Sequence, residues 1–195
     1  EMSKFLRKKG GHLIQISTDY VFNGSQSKAY KVNNKVSPIN FYGFSKAKGE
    51  DHIHNILGNT NQGIIIRTSW LMGTVGTNFL LTMLKLHKEK EIIDVVYDQI
   101  SCPTSTRTLS KACWETIFLR NKIKSIKANK VPILHWSDDG VASWYDVAIA
   151  IGEIATELKI INKPAKVIPI KSKEYNRKAK RPNFSLLDCE STRKT

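Results

Sequence analysis

GIIIRTSW, Gly63–Trp70, is the stretch whose reading decides the fold. Its β-branched run is of the kind buried on both faces of a parallel sheet, where helices cover each side. Upstream, His12–Thr18 reads as another short, largely apolar strand. Before it, residues 1–9 resemble the tail of a helix, with Met2, Phe5 and Leu6 on one side and basic residues on the other. Gly10-Gly11 ends that helix, as glycine past a C-terminus should. A polar loop runs to Pro38, and residues 39–57 then carry helical periodicity up to Gly58. Further helices are expected near 77–89, 105–121 and 143–158, and strands near 92–97, 132–136 and 166–170. Strand–helix alternation of this kind predicts an α/β fold with a mostly parallel sheet.

A chain of 195 residues is long enough to bury a real core, and its 41% hydrophobic and 25% charged residues are those of a soluble globular protein. No apolar run approaches the ~18 residues of a membrane helix. The opening EMSKFLRKKGG has no apolar segment after its basic residues, so it is not a secretory signal. Cys102, Cys113 and Cys189 are odd in number, far apart and free of C-x-x-C spacing. They read as reduced thiols of a cytoplasmic protein. The net charge of +14 raises nucleic-acid binding, but the lysines are spread along the chain, with mild concentration at Lys122–Lys130 and Lys159–Arg181. Without an RNP-like pattern, a zinc finger or a basic helix leading into heptads, they read as a solvated surface that also draws in a diphosphate-bearing small molecule.

Two motifs carry chemistry. ISTDYVFNG, Ile16–Gly24, puts hydroxyls and a carboxylate at the carboxyl end of a strand, where open α/β sheets bind ligands. FYGFSKAKGE, Phe41–Glu50, sets Tyr42 one helical turn before Lys46, so both can project from one face. An ammonium beside a phenol favours the phenolate, and a phenol so tuned is a general acid toward a forming alkoxide. Thr18 supplies a hydroxyl that can meet a carbonyl opposite the tyrosine, although Ser-Thr-Asp is also a capping sequence. His135 reads as a strand residue, and His52 and His54 point to different helix faces and make no metal pair. Gly73–Gly76, GTVG, reads as a turn.

With SPINFYGFSKAKGE, IIRTSWLMG, GTNFLLTML, DQISCPTST and GVASWYDVAIAI added in order, the chain resembles the extended short-chain dehydrogenase/reductases, and among them the dTDP-4-dehydrorhamnose reductases. The resemblance implies an incomplete Rossmann-like, doubly wound parallel sheet with a smaller α/β substrate-binding lobe. Residues 1–70 would be the later part of the NAD(P)-binding domain, and 71–195 mainly the lobe, with about 98–137 returning to the first domain. It implies a catalytic triad of Thr18, Tyr42 and Lys46, the last two also holding the cofactor ribose. Asp19, Tyr20, Trp70 and Asn78 would line the sugar site, Asp98 and Gln99 begin a loop at the cleft, and Arg181-Pro182 matches the family's C-terminal R-P segment.

The implied reaction is reduction of the C4 ketone of dTDP-4-dehydro-L-rhamnose, a dTDP-4-keto-6-deoxysugar, by NADPH or NADH. Alternatives on the same fold are a non-catalytic regulatory protein like the methionine adenosyltransferase regulatory subunit, or another nucleotide-sugar epimerase or ketoreductase. Two departures stand out. Ser101 replaces a glycine of the family's D-Q-x-G, and glycine alone takes positive φ cheaply. No glycine-rich phosphate-binding turn follows any strand, so the chain reads as the later part of a larger protein that binds NADPH poorly or not at all by itself. An open sheet edge would remain, which favours association, as in a homodimer. A magnesium ion, held at a subunit interface in some relatives, has no placeable ligands here.

Overall fold

The computed structural model describes residues 1–125, 128–175 and 179–195. Parts of both lysine-rich stretches, 126–127 and 176–178, lie outside the described residues. Helix α1 spans Met2–Lys9 and stops at Gly10, whose φ of 74° is left-handed and returns its N–H to the Leu6 carbonyl. Glycine enters that conformation without a Cβ penalty. Strand β1, Leu13–Thr18, follows, and a 3₁₀ turn at Asp19–Val21 takes the chain off its carboxyl end. Helix α2, Phe41–Leu57, begins where the Asn40 side chain accepts the Gly43 N–H at 2.7 Å. Strand β2, Gly63–Thr68, then runs parallel to β1, with Leu13 opposite Gly63 and Thr18 opposite Thr68.

All six residues of β2 are buried, because it is the central strand of three. Its side chains alternate between faces. After β3 (Leu71–Met72), α3 (Phe79–Glu89), β4 (Ile92–Val96), β5 (Ile100–Ser101) and β6 (Thr104–Ser105) comes α4, Thr106–Leu119. Ile64 and Ile66 pack beneath α4 with Leu109, and Ile65 packs beneath α2 with Ile53 and Leu57. Each isoleucine buried this way contributes about 1.5–3 kcal/mol. Strand β7, Ile133–His135, completes the parallel sheet in the order β1-β2-β7.

The remaining elements are β8 (Ala142–Ser143), α5 (Trp144–Glu157), β9 (Lys166–Ile170) and α6 (Glu190–Arg193). Helix α5 starts at a reciprocal cap: Asp146 N–H donates to Ser143 Oγ, and the Asp146 carboxylate accepts the Ser143 N–H. Strands β4 and β9 pair in parallel, and α3 and α5 cover them around Met83, Ile93, Val95, Val147, Ile151 and Val167. The molecule is therefore an α/β protein with parallel sheets. Ser101 needs no positive φ: it lies in extended β5, antiparallel to β8, and is wholly buried. Among the described residues, no helix is long and apolar enough to cross a membrane.

The C-terminal segment returns along the Tyr30 loop and β5. Tyr30 N–H donates to Leu186 O, Asp188 N–H to Tyr30 O, Ile100 N–H to Asn183 O, and Ser185 N–H to Ile100 O. Gly24, at φ 78°, lets this segment close in, since a Cβ there would stand 2.8 Å from the Pro182 Cα.

Candidate active site

The site forms where β1 ends. Thr18 is extended and caps the 3₁₀ turn, its Oγ1 accepting the Tyr20 N–H at 3.2 Å. The same hydroxyl donates to Asp19 Oδ1 at 3.0 Å. Thr18 thus takes the capping role its sequence context allowed while standing at the cleft end of the strand. Asp19 is 2% exposed, with Oδ2 receiving the Ser185 hydroxyl at 2.5 Å, so both of its carboxylate oxygens are engaged within the protein. Burial pushes its pKa up to about 7, against hydrogen bonds from Ser185 and Thr18.

Tyr20 turns toward the cleft and meets Tyr42 edge-on, ring centroids 6.0 Å apart. Burial, reinforced by the Asp19 charge, pushes the Tyr20 phenol up to about 12, although Arg181 hydrogen-bonds it and pulls the other way. Tyr42 stands on the first turn of α2 and is 54% exposed. One turn on, Lys46 is half-buried and donates from Nζ to the Ile16 carbonyl of β1 at 2.6 Å. Gly43 lies between them against the turn, where an added Cβ would come within 2.0 Å of the Tyr20 carbonyl oxygen. Only glycine lets α2 dock this close.

A cavity of about 330 Å³ opens beside Tyr20, lined by Phe79, Met83, Gln99, Trp144 and Arg181 among others. Trp144, in the GVASWYDVAIAI stretch, lines it, a role the sequence motif did not mark. Trp70 instead lies behind it, 9% exposed and stacked on Trp144 at 3.6 Å. The expected wall residue Trp70 thus reaches the cavity side only through its stacking on Trp144. Trp70 holds a φ of 42°, a strained value for a bulky residue. Asn78 caps α3, its Oδ1 accepting the Leu81 N–H, while Nδ2 donates to Gly73 O.

The Asp98–Gln99 loop is pinned rather than free. Asp98 Oδ1 accepts from both N–H and Oγ of Ser172, and Gln99 joins Trp144 Nε1 to the Ser172 hydroxyl. Beneath the turn, Arg67 and Glu50 form a buried two-point pair that also takes the Ser17 hydroxyl. His135 is a wholly buried strand residue, its Nδ1 3.0 Å from the Tyr30 carbonyl. Burial, with the Arg67 charge, pushes its pKa down to about 3. All three cysteines are free. Among the described residues, no group of three or more His, Cys, Asp or Glu side chains could hold a metal ion.

Residues 1–195 match the model of the RmlD substrate binding domain. A dTDP-4-dehydrorhamnose reductase of Aggregatibacter actinomycetemcomitans is 39% identical over 176 residues, which cover 90% of this chain and 58% of that protein. A solved dTDP-4-dehydrorhamnose reductase from Clostridium acetobutylicum superposes with a TM-score of 0.85 at 32% identity, covering 100% of this chain and 62% of the other. One from Bacillus anthracis, in complex with NADP, gives 0.84 at 34%, covering 98% and 62%. The chain thus spans about three fifths of the length of these relatives. On the full-length match and the shared fold, the chain belongs to the RmlD substrate-binding-domain family.

Proposed function

We propose that this chain carries the proton-donating and sugar-binding part of an NAD(P)H-dependent reductase that converts dTDP-4-dehydro-L-rhamnose to dTDP-L-rhamnose. The observation that carries the reading is the docking of α2 on the end of β1. It brings Tyr42, Lys46 and the Thr18–Tyr20 turn to one mouth of the sheet. The reductases this chain resembles supply the substrate class, and the NADP complex from Bacillus anthracis supports NADPH.

The half-exposed Tyr42 phenol and the neighbouring Lys46 ammonium suit the nicotinamide ribose, whose hydroxyls need a donor and an acceptor. When bound, the nicotinamide supplies the hydride that reaches C4. Thr18 meets the ketone oxygen, and Tyr42 gives its proton to that oxygen as charge develops on it. Lys46, tethered to the Ile16 carbonyl, places an ammonium one helical turn from that phenol. Arg181, beside Tyr20 in the cavity, suits the diphosphate of a nucleotide sugar, which it can meet with two N–H groups. In this reading residues 1–70 belong to the cofactor domain, and the β4–β9 unit with α3 and α5 forms the sugar lobe. The open edge of β1 favours a homodimer.

A fluorescence titration of NADPH into the chain tests the cofactor half of the reading. Saturable binding that weakens with Lys46→Ala supports it. Oxidation of NADPH in the presence of dTDP-4-dehydro-L-rhamnose, lost in Tyr42→Phe, supports the rest. If neither binding nor oxidation occurs, this chain alone is not the reductase.

A further inference from the structure

We propose that Asp19, anchored by Ser185, is a positioning residue that decides whether the Thr18 hydroxyl donates to the ketone oxygen of the bound sugar. The inference rests on the reductase reading above. It starts from a chain of three buried hydroxyl and carboxyl groups: Ser185 Oγ to Asp19 Oδ2 at 2.5 Å, and Thr18 Oγ1 to Asp19 Oδ1 at 3.0 Å. Ser185, Asp19 and Thr18 are all at most 5% exposed, so water does not substitute for any link.

A threonine hydroxyl has one proton and two lone pairs. One lone pair accepts the Tyr20 N–H, and in the ionised state of Asp19 the proton is given to the carboxylate. A ketone oxygen can only accept, so Thr18 then has nothing to offer it. Neutral Asp19 reverses the link. Its O–H donates to the second lone pair of Thr18, and the threonine proton turns to the cleft. Ketone binding is therefore coupled to retention of one proton on Asp19, with no change in Tyr42. Ser185 donates to Asp19 in both states but more strongly to the carboxylate. It therefore sets the pH at which the switch occurs.

The charged and titratable groups around Asp19 are few. Tyr20 on the turn keeps its proton, its phenol being pushed up to about 12. Arg181 on the C-terminal segment bonds Tyr20, Lys46 on α2 is tied to the Ile16 carbonyl, and Arg67 on β2 is neutralised by Glu50. Tyr42 on α2 meets the turn edge-on at Tyr20. Burial has already brought Asp19 to a pKa of about 7, within reach of ordinary solution conditions.

The test is calorimetric titration of dTDP-4-keto-6-deoxyglucose into the chain between pH 5.5 and 8.5, with dTDP-L-rhamnose, which lacks the sugar ketone, as the control. Ketosugar affinity should fall about tenfold per pH unit above the midpoint, as for one linked proton, while the control stays flat. Ser185→Ala, or Ser185→Cys if the alanine variant does not fold, should move the fall to higher pH, and Ser185→Thr should restore it. Thr18→Val should remove the pH dependence, and Tyr42→Phe should keep it. Parallel loss of both ligands, or a midpoint indifferent to Ser185, overturns the proposal. If wild type binds neither ligand, the reductase reading fails first, and the carboxyl carbon resonance of Asp19 decides the switch. A near-neutral midpoint that rises in Ser185→Ala sustains it, and an ordinary carboxylate midpoint overturns it.

Discussion

Arg67 of β2 and Glu50 of α2 meet face to face beneath the candidate site, Nε to Oε1 at 3.0 Å and Nη2 to Oε2 at 2.6 Å. Both side chains are almost wholly buried, so the pair locks the helix bearing Tyr42 and Lys46 to the central strand. Removing one partner strands a charge out of water. Glu50→Ala should cost about 3–5 kcal/mol, while Glu50→Leu combined with Arg67→Met should cost less than either single loss. Urea unfolding of Glu50→Ala and of the double variant measures this, and a double variant as weak as Glu50→Ala would contradict it.

Gly43 bears on the same docking. Gly43→Ala places a methyl group 2.0 Å from the Tyr20 carbonyl, an approach that backbone atoms do not tolerate. The helix must shift, at a cost of about 1–3 kcal/mol. Separation of Tyr42 from Tyr20 should appear as a change in the near-ultraviolet circular dichroism of the tyrosines, with helix content unchanged.

Asn78 offers a contrast between capping and binding. Because its amide is engaged within the start of α3, Asn78→Ala should lower stability by about 1 kcal/mol. Asn78→Asp, which keeps the capping acceptor, should recover most of that. Nucleotide-sugar affinity measured on Asn78→Asp should match wild type; a marked loss would return Asn78 to the ligand.

Stability should follow pH through two buried groups that act in opposite directions. Asp19 has a folded pKa of about 7 against an ordinary 3.8, so between these values the folded chain holds a proton the unfolded chain has lost. Its contribution to stability therefore declines as pH rises from about 4 to about 7 and stays low above that. His135 is the converse, about 3 against 6.5, so acid below about pH 6.5 charges the unfolded chain first and destabilises the fold. Asp19→Asn should match wild type most closely near pH 4 and gain on it up to about pH 7. At about 1.4 kcal/mol per pH unit, the gain is on the order of 4 kcal/mol. Thermal melts across pH 4–8 check the sign, and a gap that narrows with rising pH would refute it.

Period and punctuation in the sequence determined the longer helices and strands. The isoleucines of Gly63–Thr68 had no polar alternation, so the strand had to be central, and Gly10 had to stop α1. Tyr42 and Lys46 were legible because one helical turn fixes their common face whatever surrounds them. Only the tertiary structure decided which groups those side chains meet. Lys46 bonds the backbone of β1, Asp19 is claimed by a serine 166 positions away, and Trp70 stacks on Trp144, 74 positions on. Asn78 had the composition of a binding residue and the position of a cap, and its neighbours in space settled which role consumed its hydrogen bonds. Local periodicity is written in side chains three or four positions apart. Hydrogen-bond partners across 30 to 170 residues are set by packing, which a single sequence read in order does not display.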